Sequence, residues 1–288
     1  MTTTIGLSDA AVRRLTQDVM THAPNEPFGV YLFRSDAPGA DLARHLEQAV
    51  FLEAFGNTPE FLAKEYDPYE AASFFLCVVD HRRRVPVGTM RILVPSRAGF
   101  KTFNDIPPNW GVSVDEMIER TGLALDFKRT WDIATLAVAR DYRGRATAGL
   151  VTLGLYQALA MLTLDSDIEW LIAILDRLVF RMVRWRLRMT FAAFEGTAPI
   201  RYLGSSASLP VWCSMSEGKR NLLVNDPELY ELFVEGKGLE AAVRRLDMQW
   251  ALNQVAFLSD SCRYSAGDSE RSGLQRLVSV PHRCDDLG

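Results

Sequence analysis

One stretch, Trp131–Leu150 (WDIATLAVARDYRGRATAGL), sets what the rest of this chain can fold into. Ile133, Ala134, Leu136, Ala137 and Val138 form a short apolar run bounded by turn residues, which is the pattern of a buried strand. Arg140–Ala148 then places Arg140, Arg143 and Arg145 around Gly144. From Ala146 a proline-free run with apolar residues three and four apart predicts a helix. The first turn of a helix carries N–H groups without intrahelical partners at the positive end of its dipole, so an arginine-rich, glycine-containing entry suits a phosphate-bearing ligand. A purely structural turn of the same composition is the alternative. Either way, a strand feeding a helix through a short loop needs a sheet with helices packed on it.

The flanking segments supply that sheet. Residues 8–22 read as a short amphipathic helix capped by Ser8, and Phe28–Phe33 as a strand. Asp41–Phe55 has helical period, with Leu42, Leu46, Ala49, Val50 and Phe51 as its buried stripe and Gly56-Asn57 as its stop. Phe61–Glu70 is polar and reads as a loop. Ser73–Val79 and Val85–Val94 are strands joined by the charged turn DHRRR, so antiparallel pairing is expected. Residues 96–128 are mixed. Ser113 and Glu116 have capping-box spacing at the start of a helix. Glu169–Leu175 is a continuous apolar strand and Arg177–Arg188 a basic amphipathic helix. Short strands are expected at Met189–Glu195, Ile200–Leu203 and 209–213, and helices at Pro227–Val234 and Leu239–Phe257. The predicted fold class is α/β (α+β): a mixed, mostly antiparallel sheet flanked by helices, with a C-terminal helical extension. The expected units are 1–38 (first helix and strand), 39–215 (core), 216–258 (helical extension) and 259–288, a Ser-, Arg- and Asp-rich flexible tail.

Composition excludes several function classes. A net charge of −4 leaves no general footprint for nucleic acid. No apolar run reaches the ~20 residues that span a bilayer, and the first residues lack a signal peptide's basic start and apolar core; a cytoplasmic location is expected. Cys77, Cys213, Cys262 and Cys284 are widely spaced with no CxxC pair, so neither zinc nor a disulfide framework is suggested. His22, His45, His81 and His282 form no triad or ligand spacing, and no metal is expected.

Two motif sets carry a family resemblance. Arg143-Gly144-Arg145-Ala146-Thr147-Ala148, behind Leu136-Ala137-Val138, resembles the acyl-CoA pyrophosphate loop of the GNAT acyltransferase superfamily, with Ala146 standing where that pattern has its first glycine. Glu65-Tyr66-Asp67-Pro68-Tyr69-Glu70, followed by Gly88-Thr89-Met90-Arg91-Ile92 and Pro95, is similar to the acyl-homoserine-lactone (autoinducer) synthases and the N-acyl amino acid synthases. Phe194–Pro210 resembles the end of the latter, and the resemblance spans roughly residues 40–215. It implies an acyltransferase that takes its acyl group from an acyl-CoA or acyl-carrier-protein thioester and delivers it to a small amine such as an amino acid, without a metal.

On that resemblance, Asp67 and Glu70 hold the family's acidic positions and Arg91 the strand arginine that organises them through ion pairs. Asp132 stands for a glutamate on the central strand. Glu65, Asp67, Glu70, Asp132 and Arg91 are the catalytic candidates. Leu136, Ala137, Val138, Arg143, Gly144, Arg145, Ala146, Thr147 and Ala148 are the thioester-binding candidates. Thr135 and Glu47 replace two family arginines, which points away from S-adenosylmethionine as acceptor. Where GNAT enzymes carry a tyrosine acid, this chain has Leu178-Val179-Phe180-Arg181, and Tyr202 is the available phenol. The arginines of residues 177–188, beside Trp185, are either a solvated face or a landing patch for an acidic carrier protein or an anionic membrane surface. Two other readings stay open: a non-catalytic thioester-binding or regulatory protein on a degenerate GNAT scaffold, and an ordinary N-acetyltransferase.

Overall fold

Nine strands form one sheet in the computed structural model, which describes residues 6–20, 25–147 and 149–264. In chain order the elements are α1 (Asp9–Val19), β1 (Phe28–Arg34), α2 (Ala40–Phe55), α3 (Pro59–Tyr66), β2 (Ser73–Asp80), β3 (Val85–Leu93), α4 (Lys101–Trp110), α5 (Val114–Thr121), β4 (Thr130–Val138) and α6 (Leu150–Asp165). There follow β5 (Trp170–Asp176), α7 (Arg177–Trp185), β6 (Ala192–Ala193), β7 (Ile200–Tyr202), β8 (Ser205–Ser214), α8 (Met215–Asn225), α9 (Pro227–Phe233), β9 (Val243–Arg244) and α10 (Met248–Tyr264). The strand order is β6-β8-β5-β4-β3-β2-β1-β9, with β7 on β8. All pairs are antiparallel except β4–β5 and β1–β9. The mixed, mostly antiparallel sheet flanked by helices is the fold class expected from the sequence.

Alternation explains the layers. Along β2, Phe74, Leu76 and Val78 face a core built with Val151, Leu155 and Leu159 of α6. Phe75, Cys77 and Val79 face the opposite side, against Ala40 and Ala43 of α2. A strand covered on both faces reads as an uninterrupted apolar run, as SFFLCVV does. Helix α6 sits close to the sheet because Gly88 has no side chain: a Cβ there would lie 2.5 Å from Val151 Cγ1.

The sheet has one weak seam. β4 and β5 pair only at Thr130–Trp170, Trp131–Leu171 and Asp132–Ile172, after which the two strands separate. On its other side β4 carries a bulge: Ile133 faces Ile92 and Thr135 faces Arg91, so Ala134 has no partner on β3.

Several local expectations are corrected. Phe61–Glu70 is not a loop; Thr58 caps α3, Pro59 starts it, and a 3-10 turn over Asp67–Ala72 follows. In α2, Ala49 is exposed, whereas Glu47 and Gln48 are buried. Residues 144–147 form a 3-10 turn and α6 begins only at Leu150. The segment 101–110 is helical despite Pro107 and Pro108. The basic helix ends at Trp185, and within Met189–Glu195 only Ala192–Ala193 is strand. Helix α8 was not expected, and Leu239–Phe257 contains β9 before α10 begins. Residues 265–288, which hold most of the expected tail, lie outside the described residues, as do His22, His282 and Cys284.

Candidate active site

Where β4 and β5 part, a cleft of about 610 Å³, counting its open mouth, enters the molecule. Ile133–Leu136 of β4 form one wall and Ile174–Asp176 of β5 the other. Phe51 and Phe55 of α2, Val179 of α7 and Leu203 add apolar cover, while Tyr66 and Tyr202 bring phenols to it. Beyond Asp132 the backbone amides and carbonyls of β4 have no ladder partner on β5, so polar main chain borders an otherwise greasy space. Tyr66 Oη donates to the carbonyl of the bulged Ala134 at 3.4 Å.

Behind that wall lies a buried charge network. Arg91, 3% exposed, points from β3 between the rings of Tyr66 and Phe75, each 4.6 Å from its guanidinium carbon. Its Nη2 donates to Glu47 Oε2 at 2.8 Å and its Nη1 to Glu70 Oε2 at 2.7 Å. Glu47, 1% exposed, also accepts from the Thr135 hydroxyl in the cleft wall. Glu70 accepts a second charged partner, Arg44. Burial opposes the ionised form of Glu70, but Arg91 and Arg44 outweigh it and hold the carboxyl below its usual range. A carboxyl held low is a weak proton acceptor near neutral pH.

A second network lies beside the first. Lys101, buried at the start of α4, donates to Glu65 at 2.9 Å and to Asp105 at 2.6 Å. Burial disfavours its charge, and the two carboxylates more than compensate, raising its pKa. Asp105 in turn accepts from the Tyr202 hydroxyl. Burial, Tyr66 and Asp105 push the Tyr202 phenol well above its ordinary value. Asp67 is exposed at the rim of a small crevice shared with Arg44, Glu70 and Arg91.

Asp132 is placed elsewhere. It is fully buried and accepts from the Thr102 amide at 2.7 Å and the Thr102 hydroxyl at 2.8 Å, so it anchors the first turn of α4 and does not line the cleft. Burial pushes its carboxyl up to about 7 against the pull of those two bonds. The structure thus brings Glu65, Glu70 and Arg91 together around Tyr66, behind the cleft wall, and none of Glu65, Asp67, Glu70, Arg91 and Asp132 is in the cleft lining. Sequence reasoning missed Lys101, Asp105 and Asp176. Asp176 had a local signal, a lone acid directly after an apolar strand, whereas the other two sit in a segment without visible pattern.

The basic loop continues from β4. Arg140–Tyr142 and Gly144–Thr147 form two 3-10 turns, with Gly144 at φ +63° and Gly149 at φ +76°, the left-handed region that glycine enters freely. Thr147 Oγ1 donates to the Tyr142 carbonyl at 2.8 Å, and Tyr142 Oη donates to Asp80 Oδ2 at 2.8 Å, tying the loop to the end of β2. Arg140 and Arg143 are exposed, and Arg143 Nε donates to the Val138 carbonyl at 2.7 Å. The side chains of Arg145 and Ala146, and the whole of Ala148, lie outside the described residues. Among the described residues no cluster of three or more His, Cys, Asp or Glu side chains is arranged to hold a metal ion, and no helix is long and apolar enough to cross a membrane.

No protein-family model matches the chain, and no curated protein matches it. Among solved structures it is similar to BjaI, a CoA-dependent acyl-homoserine lactone synthase solved with SAM and isopentyl-CoA, at 14% identity and a TM-score of 0.48, over 78% of this chain and 98% of that one. It is also similar to the acyl-homoserine lactone synthase LasI (16% identity, TM-score 0.47, 66% of this chain and 91% of that one). A third is FeeM, an N-acyl amino acid synthase from uncultured soil microbes (13% identity, TM-score 0.47, 67% of this chain and 94% of that one). These are the classes that the sequence motifs resemble. Similarity at this level says nothing of substrate.

Proposed function

We propose that this protein is an N-acyltransferase that moves an acyl group from an acyl-CoA or acyl-carrier-protein thioester to a small amine. The observation that carries the reading is the opened seam between β4 and β5. A strand without a ladder on one edge past Asp132, bordering an apolar cleft and running directly into an arginine- and glycine-containing loop, offers three things one ligand needs. The free edge of Thr135–Val138 takes the amides of a pantetheine arm. Loop residues 143–148 take its phosphates. The apolar walls take the acyl chain. An N–H of the free β4 edge, aimed at the thioester oxygen, stabilises the charge that develops there. The amine nitrogen attacks the carbonyl carbon, the C–N bond forms, the C–S bond breaks, and the thiolate leaves with the proton shed by nitrogen.

In this scheme Arg91, Glu47, Glu65, Glu70 and Lys101 act mainly as framework that fixes Tyr66 and Tyr202 in the wall. Asp132 is the sequence candidate whose proton affinity suits a base near neutral pH, and it works on the cleft only through Thr102 and α4. A second reading, a thioester-binding protein without turnover, draws support from the pairing of Glu65 and Glu70 with bases. The exposed side of α7, with Leu178 72% and Trp185 69% exposed among arginines, fits a landing surface for an acidic carrier protein or an anionic membrane. The reading places the protein in the cytoplasm.

The deciding experiment follows free thiol released from acetyl- and decanoyl-CoA, and from acylated carrier protein, with an amine panel. Thiol release that depends on amine supports the transferase. Thioester binding without release, seen as a rise in melting temperature alone, supports the second reading. Preference for acetyl over decanoyl would make it an ordinary acetyltransferase. Gly144→Val should weaken coenzyme A binding at least about tenfold: a β-branched residue is strained at this φ, although an added Cβ meets no protein atom within 4 Å.

A further inference from the structure

The cleft is lopsided in charge. Among the described residues that line it, Asp176 is the one side chain carrying a formal charge; no lysine, arginine or histidine joins it. Asp176 ends β5, and its carboxylate is gripped from two sides. Oδ1 accepts from the Leu178 amide at 2.7 Å as the cap of α7, and Oδ2 accepts from Ser205 Oγ at 2.7 Å. Both donors are neutral, and no ion pair among the described residues reaches this carboxylate. Its orientation is fixed while its charge is left without a counter-ion. Two bonds occupy about half of the roughly four acceptor positions of a carboxylate.

Helix capping alone accounts for Oδ1 and is served equally well by asparagine or serine. It does not call for a negative charge at a cleft whose lining is otherwise uncharged. A cation entering the cleft meets an opposite charge there. An anion entering it meets Asp176 and finds no base in the lining.

We propose that Asp176 binds the ammonium group of the acceptor, and that the acceptor is an apolar, singly cationic amine without a carboxylate, in preference to an amino acid. This rests on the transferase reading, with the acceptor entering the same cleft whose apolar walls take the acyl chain. Its test does not depend on turnover, so the two fail separately: absence of thiol release removes the transferase, and absence of the charge preference removes Asp176 as the recognition group.

The probes are phenethylamine, phenethyl alcohol and phenylalanine, which share one apolar body and differ in charge. Their binding to the full chain is measured by ligand-observed NMR and calorimetry at neutral pH. Phenethylamine should bind at least about tenfold tighter than either of the others, as expected for a charge-assisted bond in an apolar site. In Asp176→Asn the advantage over the alcohol should vanish, with the melting temperature held by the retained cap. Asp176→Ser, also a competent cap, gives the same comparison if the asparagine variant folds poorly. Phenylalanine binding as tightly as phenethylamine, a charge preference that survives loss of the carboxylate, or failure of all three probes to bind the native chain would each overturn the proposal.

Discussion

Replacing Arg91 by methionine removes one partner of a buried ion pair, Arg91–Glu47. Methionine matches the arginine stem only as far as Nε, so the guanidinium's contact with the rings of Tyr66 and Phe75 is lost together with the charge. The partner left behind is Glu47. In the native chain this carboxylate is sealed from solvent, with the Arg91 guanidinium bonded to both its oxygens and one further bond from Thr135. Without Arg91 a buried charge keeps one neutral donor, whereas Glu70 keeps Arg44 and partial access to water. Stranding one member of a buried pair costs about 3–5 kcal/mol. For a chain of this size that is roughly 5–8 °C in melting temperature. Urea unfolding followed by circular dichroism reads the loss, and adding Glu47→Gln to Arg91→Met removes the stranded charge. The double variant should recover roughly 1–3 kcal/mol, the difference between burying an unpaired charge and an unpaired amide. If Arg91→Met loses less than about 1 kcal/mol, or if Glu47→Gln adds to its loss, the network is not a sealed pair and the framework role assigned to it is wrong.

Two further outcomes follow. Asp132 binds its proton more tightly folded, up to about 7, than its ordinary 3.8; the stability this gives is full below about pH 4 and is lost as pH rises toward 7. Asp132→Asn should therefore gain stability relative to the native chain as pH increases across that window, and parallel stability curves in urea titrations from pH 4.5 to 7.5 would refute it. Gly88→Ala pushes a Cβ against Val151 on α6 and should cost about 1–3 kcal/mol through overpacking; an unchanged melting temperature would show that α6 can shift freely.

What the sequence disclosed, and what it hid, divides along physical lines. Strands β2 to β5 were legible because each is a short apolar run closed by turn residues, and a strand buried on both faces needs no knowledge of its partners. The capped helices α1 and α5 were legible through Ser8 and Ser113. Helix α3 was missed although Thr58-Pro59-Glu60 is itself a start signal, because the carboxylates that follow were taken as marks of solvent. Glu47 shows the deeper obstacle. Periodicity assigns a glutamate to the wet side of a helix, and only Arg91, 44 residues further on, reverses that. Arg91 is named by its motif, yet its partner on α2 is not, since an ion pair between elements leaves no local trace. The cleft was hidden for the same reason: it arises from where two strands stop pairing, and neither strand's residues announce that.

The three residue pairs that hold β4 to β5 also have a mechanical meaning. Among the described residues they are the only ladder joining the β6-β8-β5 block to the β4-β3-β2-β1-β9 block, so hydrogen bonding within the sheet is thinnest there. On the facing edges of β4 and β5, main-chain groups past these pairs have no interstrand bonds, and those amides should exchange faster than the laddered amides of β2 or β3. A ligand lying along the free edge of β4 would supply the missing ladder and bridge the two blocks. Binding and stiffening would then be one event, and a ligand that fills the cleft would brace the seam as an added strand does.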